Sequence, residues 1–173
     1  MLKKSMVFML TAAALSAGMA VQAKDVQRPN PIVQYNTYQE AAEVAGFTPL
    51  YLPEVSGYAC DYISLIDKDT ADLGFSRMGD SDVTLRVRTA LTKKAPSNLS
   101  GVYSVDWNKE TIGNTEVRIA QIDNLGDEFV ATWKVGDYTF SAQSKGLSGA
   151  AFRNILENGL IDTSNHYFSK LKK

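Results

Sequence analysis

The side chains best suited to catalysis are scarce, because the chain has a single cysteine, Cys60, and a single histidine, His166. A thiol activated by a histidine base is a nucleophile, but Cys60 stands in the apolar run GYACDYISLI and His166 in a polar C-terminal segment. We therefore predict that Cys60 packs as a small apolar residue. Because structural and catalytic zinc sites gather three or four such ligands, we predict no metal site.

The acidic run DKDTADLG has aspartates at the first and third positions of a calcium-binding loop. Ala71 and Asp72 stand where an EF-hand has a ligand and a glycine, and Met78 replaces the bidentate glutamate. The run is therefore more typical of a solvated hairpin turn.

The sequence has no glycine-rich phosphate loop, dinucleotide fingerprint or nucleophile elbow. Carboxylates are numerous enough for an acid pair of the glycosidase kind, for instance Asp106 and Asp127, but their spacing selects no pair. We predict that the protein is not an enzyme and needs no cofactor. A hydrolase that uses a pair of acidic residues is a further hypothesis, which ranks below the two binding functions described at the end of this subsection.

Two features have the chemistry for binding. Arg86 and Arg88 alternate with apolar residues in DVTLRVRTA, so both project from one face of a strand. They either contact an anionic group or protect the edge of a sheet. Trp107, Trp133 and Tyr138 supply aromatic surface, although the alternation around Trp133 favours the core. Our candidate binding residues are Arg86, Arg88 and Trp107.

The run NTYQEAAEVAGFTPLYLP predicts a helix followed by a short strand. Thr37 and Glu40 form a capping box that begins a helix. Gly46 supplies the left-handed residue at its end. The letters LYL between Pro49 and Pro53 predict an edge strand.

Alternation with a period of two predicts strands in the following runs: YACDYISLI, LGFSRM, DVTLRVRTA, VYSVDW, EVRIAQI, EFVATWKV and YTFSAQS. Gly136 predicts a tight hairpin between the last two. The run GLSGAAFRNILENGL predicts a second helix, with Ser148 as its N-cap and Gly159 just past its end. We predict an α+β fold, an antiparallel β-sheet flanked by an N-terminal and a C-terminal helix.

The N-terminus resembles a secretory signal peptide, with two lysines, an apolar stretch and small residues before a cleavage point at Ala23. We predict a secreted or periplasmic protein with no stable membrane insertion after cleavage. The formal net charge of −1 argues against binding to nucleic acid. The predicted organisation is a signal peptide (1–23), a flexible lead-in (24–31), a single α+β domain (32–161) and a polar C-terminal tail (162–173).

Two stretches carry a resemblance, YNTYQEAAEVAGF with its proline-bounded strand and ATWKVGDYTFSAQSKGLSGAAFRNIL. Together they resemble an uncharacterised domain family of secreted and envelope proteins of bacteria, mostly Firmicutes, from about Ile32 to about Gly159. Some members are similar to the outer parts of membrane-bound anti-sigma regulators. The resemblance implies a binding or regulatory domain and supplies no catalytic residues.

Our leading hypothesis is an exported, non-catalytic binding or regulatory domain of the bacterial cell envelope. It would contact an unknown envelope protein or a small ligand through a sheet face or an edge strand. The alternative is a carrier that holds an apolar or lipid-like molecule between helices and sheet.

Overall fold

The computed structural model describes residues 31–53, 56–122 and 126–169. The predicted signal peptide and residues 24–30 of the predicted lead-in lie outside the described residues, as do residues 170–173. The strands are β1 (Ile32–Tyr35), β2 (Tyr58–Ile66), β3 (Thr70–Arg77), β4 (Asp80–Leu91), β5 (Asn108–Ile112), β6 (Thr115–Gln121), β7 (Phe129–Val135) and β8 (Tyr138–Lys145). The helices are α1 (Tyr38–Ala45), α2 (Gly149–Ile155), a π-helical turn (Leu156–Ile161) and α3 (Asp162–Phe168).

All eight strands form one antiparallel sheet in the order β1-β2-β3-β4-β8-β7-β6-β5. The first four strands make one meander and the last four another, and the two meanders join where β4 pairs with β8. Since β5 lies at the far edge, the chain must cross β8, β7 and β6 after it leaves β4. Residues 92–107 make this connection, which we call the crossing loop.

One face of the sheet, the apolar face, carries the core. Its alternating inward side chains are all buried: Leu65, Leu73, Phe75, Leu85, Val87, Val117, Ala131, Trp133, Phe140 and Ala142. The helices cover this face, and their buried side chains Phe152, Leu156, Leu160 and Ile161 belong to the same apolar cluster. The sheet is therefore apolar on the face that the helices cover, and its polar side chains lie on the opposite face.

Helix α1 begins and ends where the capping residues predicted. The Thr37 hydroxyl accepts a hydrogen bond from the Glu40 N–H at 3.2 Å, and Gly46 ends the helix with a φ of 72°. The predicted edge strand at LYL is wrong, because β1 already pairs with the outer edge of β2. Leu50 and Leu52 instead bury their side chains in the core, and the Leu50 N–H donates to the Thr89 hydroxyl at 2.9 Å.

The predicted flanking of the sheet by an N-terminal and a C-terminal helix is also wrong. Helix α1 follows β1 and has only eight residues, whereas the C-terminal helical segment runs from Gly149 to Phe168. Among the described residues, 45% lie in strands and 22% in helices, so the sheet dominates the fold. We missed β1 because four residues are too few to show a period of two.

The second helix begins as predicted, since the Ser148 hydroxyl accepts from the Ala151 N–H at 3.3 Å. It does not end at Gly159, which lies inside the π-helical turn. Helix α3 then occupies the start of the predicted polar tail, because Ser164 and Phe168, four residues apart, face the sheet and are buried. Residues 162–168 of the predicted polar tail are therefore helical, and two of them are buried against the sheet.

The predicted strand VYSVDW is wrong, because these residues lie in the crossing loop. Gly101 and Ser104 have positive φ angles of 74° and 59°, which break an extended conformation at both positions. Strand β5 begins only at Asn108. Among the described residues, none of the helices has the length and hydropathy to cross a bilayer.

The adjacent aromatic residues of α3 test whether this segment belongs to the core. Phe168 is 4% exposed and packs edge-on against Tyr138, whereas Tyr167 is 67% exposed. We expect Phe168→Ala to lower the free energy of unfolding by about 3–5 kcal/mol, since it leaves a cavity. Tyr167→Ala, the control, should change it by less than about 0.5 kcal/mol. Urea unfolding of both variants measures this difference, and equal small effects would mean that α3 is not part of the core.

Candidate functional site

The face of the sheet opposite the helices, the polar face, carries a continuous row of polar side chains. Residues directly opposite each other on neighbouring strands share a face. The strand register therefore places one polar side chain from each of seven adjacent strands in line: Lys109, Arg118, Thr132, Ser141, Arg88, Asp72 and Ser64. The row spans the sheet from β5 to β2 and brings together residues that are far apart in sequence.

Asp72 is the sixth of the seven residues in this row, counted from β5, and is 2% exposed. Its carboxylate accepts hydrogen bonds from Arg86 Nε and Nη2 at 2.7 and 2.5 Å and from Arg88 Nε at 3.3 Å. The bond to Asp72 raises the pKa of Arg86, so that its guanidinium stays charged. One buried carboxylate thus holds two guanidinium groups, and the cluster has an excess of one positive charge.

Arg88 also fixes the crossing loop to the sheet. Its Nη1 donates to the carbonyl oxygens of Leu99 and Ser100 at 2.9 and 3.0 Å. The side-chain Oδ1 of Asn98 accepts from the Ser100 hydroxyl at 2.7 Å and from the Gly101 N–H at 3.2 Å, which closes the turn. A chain of hydrogen bonds therefore runs from Asp72 through Arg88 to the middle of the loop.

Between the crossing loop and strands β6, β7 and β8 lies a groove of about 780 Å³, which we call the polar groove. Its floor presents Glu116, Arg118, Thr132, Lys134 and Thr139 from the strands. Its roof presents Asn98, Tyr103 and Trp107 from the crossing loop. Hydrogen-bonding groups on the floor therefore face aromatic rings in the roof.

Trp107 anchors one end of this groove. The Arg118 guanidinium lies over its ring, with the central carbon 4.8 Å from the ring centroid. Such a cation–π contact contributes about 0.5–1 kcal/mol at an exposed site. The contact favours this position of both side chains in the wall of the groove.

The three predicted binding residues have different positions. Trp107 lines the polar groove, Arg88 holds its roof, and Arg86 borders a separate depression of about 320 Å³ beside Tyr62. The edge-protection alternative for the two arginines is wrong, because β4 lies in the middle of the sheet. The anionic group that they contact is Asp72 of the same chain.

Sequence reasoning missed Asp72 and Arg118. We read Asp72 as part of an acidic turn, and a turn does form at residues 67–69, but Asp72 lies in β3. Arg118 sits on the polar side of the alternating run EVRIAQI, a signal that marks it as outward-facing. Its contact with Trp107 depends on the path of the crossing loop, and no local sequence pattern predicts that path.

A second groove of about 440 Å³ lies on the apolar face at the end of α3, and we call it the tyrosine groove. Tyr38, Tyr51, Tyr138 and Tyr167 contribute to its walls. The Tyr38 hydroxyl donates to the Pro49 carbonyl at 2.5 Å, and burial raises the pKa of Tyr38 to about 12. This groove is mainly aromatic, in contrast to the polar groove.

The cysteine and the histidine show no catalytic arrangement. Cys60 is partly buried rather than fully buried, beside a shift in strand register, and its thiol donates to the Tyr62 carbonyl at 3.5 Å. Burial raises the pKa of Cys60, which disfavours the reactive thiolate. His166 is exposed, with its ring edge-on to Tyr167. Within the described ranges, no three His, Cys, Asp or Glu side chains are grouped to hold a metal ion.

Comparison of the chain with protein-family models, with curated proteins and with solved structures finds no match. The family resemblance stated above therefore stays a prediction.

Removal of the shared carboxylate tests how strongly it supports the polar face. We expect Asp72→Ala to lower the free energy of unfolding by about 2–4 kcal/mol, less than for a fully buried pair because the Arg86 side chain is 37% exposed. The control is Asp69→Ala, which breaks an exposed pair with Lys94 and should cost less than about 1 kcal/mol. Chemical denaturation measures both, and equal losses would contradict a central role for Asp72.

The Tyr38 hydroxyl should make stability depend on alkaline pH. Its pKa is about 12 in the folded protein and 10.0 when unperturbed, so its contribution is complete below pH 10 and is lost as pH rises towards 12. Tyr38→Phe should cost about 0.5–1.5 kcal/mol at neutral pH through the lost hydrogen bond. The stability gap to the unmodified protein should then narrow above pH 10.

Denaturant unfolding at a series of pH values measures the effect of Tyr38→Phe. The control is Tyr103→Phe at a tyrosine that is 75% exposed, and it should stay within about 0.5 kcal/mol of the unmodified protein at neutral pH. If the difference in the free energy of unfolding between Tyr38→Phe and the unmodified protein stays constant up to pH 12, the prediction is contradicted.

Proposed function

We propose that the protein is an exported, non-catalytic binding or regulatory domain of the bacterial cell envelope, and that it binds its ligand in the polar groove. The observation that carries this proposal is the crossing loop, which places Trp107 and Tyr103 over a floor of threonines and cations. Aromatic surface opposite fixed hydrogen-bonding groups is a common arrangement in ligand sites.

The size and the rigidity of the groove support this proposal. Its volume of about 780 Å³ is within the range of small-molecule sites. Arg88 donates hydrogen bonds that attach the roof to the sheet, and the Arg118 guanidinium lies over the Trp107 ring. Binding therefore costs less conformational entropy than it would with free side chains.

Export is supported by the sequence alone. Lys3 and Lys4 precede an apolar stretch that ends at a small residue, Ala23, as in a cleaved signal peptide. The non-catalytic part of the proposal is supported by the raised pKa of Cys60 and by the exposed position of His166.

The proposal is tested on protein recovered from freshly lysed envelopes of the organism that produces it. Mass spectrometry should find a molecule or a protein bound at near-stoichiometric amounts to the unmodified chain. Trp107→Ala should lose this partner, and Tyr167→Ala, an exposed aromatic outside the polar groove, should keep it. A partner that Trp107→Ala retains, or no partner at all, would overturn the proposal.

The tyrosine groove favours a second candidate function, a carrier of an apolar or lipid-like molecule. Its walls are aromatic, and its volume of about 440 Å³ would accommodate a small apolar ligand. The same experiment separates the two functions. An apolar molecule that is retained by Trp107→Ala and lost from Tyr167→Ala would favour the carrier.

A further inference from the structure

We propose that the polar groove binds an acidic oligosaccharide, with a carboxylate or similar oxyanion of the sugar held by Arg118 and Lys134. This inference rests on the proposed function and adds the chemical class of the ligand. Three properties of the groove lead to it: an excess of one cation, an arginine that donates no hydrogen bond among the described residues, and walls rich in hydroxyl groups.

The groove has an excess of one cation, because Arg118 and Lys134 line it together with a single carboxylate, Glu116. Lys109, which is not in the groove lining, lies directly opposite Arg118, and like-charged side chains at opposite positions weaken a sheet. Glu116 pairs with Lys109 at 3.7 Å, but both side chains are about 70% exposed, so solvent screens the pair. A bound anion would relieve this repulsion.

The Arg118 guanidinium can donate to such an anion. Its central carbon lies over the Trp107 ring, and among the described residues the guanidinium donates no hydrogen bond. In the part of the chain that the structure describes, neither Arg118 nor Lys134 forms an ion pair. A planar oxyanion can accept two parallel hydrogen bonds from this edge.

The remaining walls favour a sugar over an apolar ligand. Thr92, Thr132 and Thr139 line the groove, and the hydroxyl oxygens of Thr92 and Thr139 lie 3.0 Å apart. Each threonine hydroxyl both donates and accepts, as sugar hydroxyls do. An apolar ligand would offer these hydroxyl groups no hydrogen bond, whereas sugar hydroxyls can add to the bond between Thr92 and Thr139. Tyr103, which is 75% exposed, adds an aromatic surface for the apolar face of a sugar ring.

An acidic peptide has the same charge but fits the groove less well. Peptides that bind to sheets usually pair with the edge of a strand. The groove instead lies over β6, β7 and β8, and each of these strands is already paired on both sides. The backbone of a peptide would find no strand edge there, so the structure favours the saccharide.

Calorimetric titration of the chain, after any molecule bound during purification has been removed, tests the ligand class. The probes are hexagalacturonate, the neutral maltohexaose, and an acidic hexaglutamate peptide. We expect binding of hexagalacturonate that weakens as salt is added. Arg118→Gln and Lys134→Gln should each weaken it about tenfold or more, as expected for a charged hydrogen bond. The control, Lys145→Gln, removes an exposed lysine of the polar face outside the groove and should leave the Kd unchanged.

Three outcomes would overturn the inference. Equal binding of maltohexaose would remove the role of the anion, and binding of hexaglutamate alone would assign the groove to a peptide. Absence of binding to all three probes would exclude the saccharide. In each case the proposed function would still stand if Trp107→Ala loses the partner recovered from the envelope, so the two failures are distinguishable.

Discussion

The buried carboxylate of Asp72 is the charge on which the polar face depends. Two arginines of β4 point to this face, and the Arg88 side chain is only 14% exposed. A guanidinium so poorly hydrated needs a counter-charge, because burial of an unpaired ion is costly. Asp72 supplies it, and Arg88 can then donate to the carbonyl oxygens of Leu99 and Ser100. The roof of the polar groove is therefore attached to the sheet through one ionic cluster.

The groove itself follows from the strand order. Since β8 pairs with β4, the strand that follows β4 in sequence lies at the opposite edge of the sheet. The connection has to cross three strands, and the helices already cover the apolar face. The crossing loop therefore passes over the polar face, where Arg88 fixes it. Topology thus creates the space, and the polar row determines which chemical groups line it.

Local patterns in the sequence identified local structure and failed where distant segments meet. The capping residues of α1 and the alternation of β2 correspond closely to the observed elements. The pairing of β4 with β8 joins segments about fifty residues apart, which no turn or period specifies. For the same reason the partner of Arg86 and Arg88 was unforeseen, since Asp72 reaches them only through the β3–β4 register. Of the candidate site, the sequence indicated Trp107 but neither Arg118 nor Lys134.

The two grooves differ in how well the fold alone accounts for them. The aromatic residues of the tyrosine groove also pack against the core, for example Tyr51 on Phe75 and Tyr138 on Phe168. Their presence is explained by the stability that such contacts contribute. Lys109 and Arg118 carry like charges at opposite positions of neighbouring strands, and this arrangement lowers the stability of the sheet. The anionic ligand that we propose would offset this cost, and for that reason we place the proposed site in the polar groove rather than in the tyrosine groove.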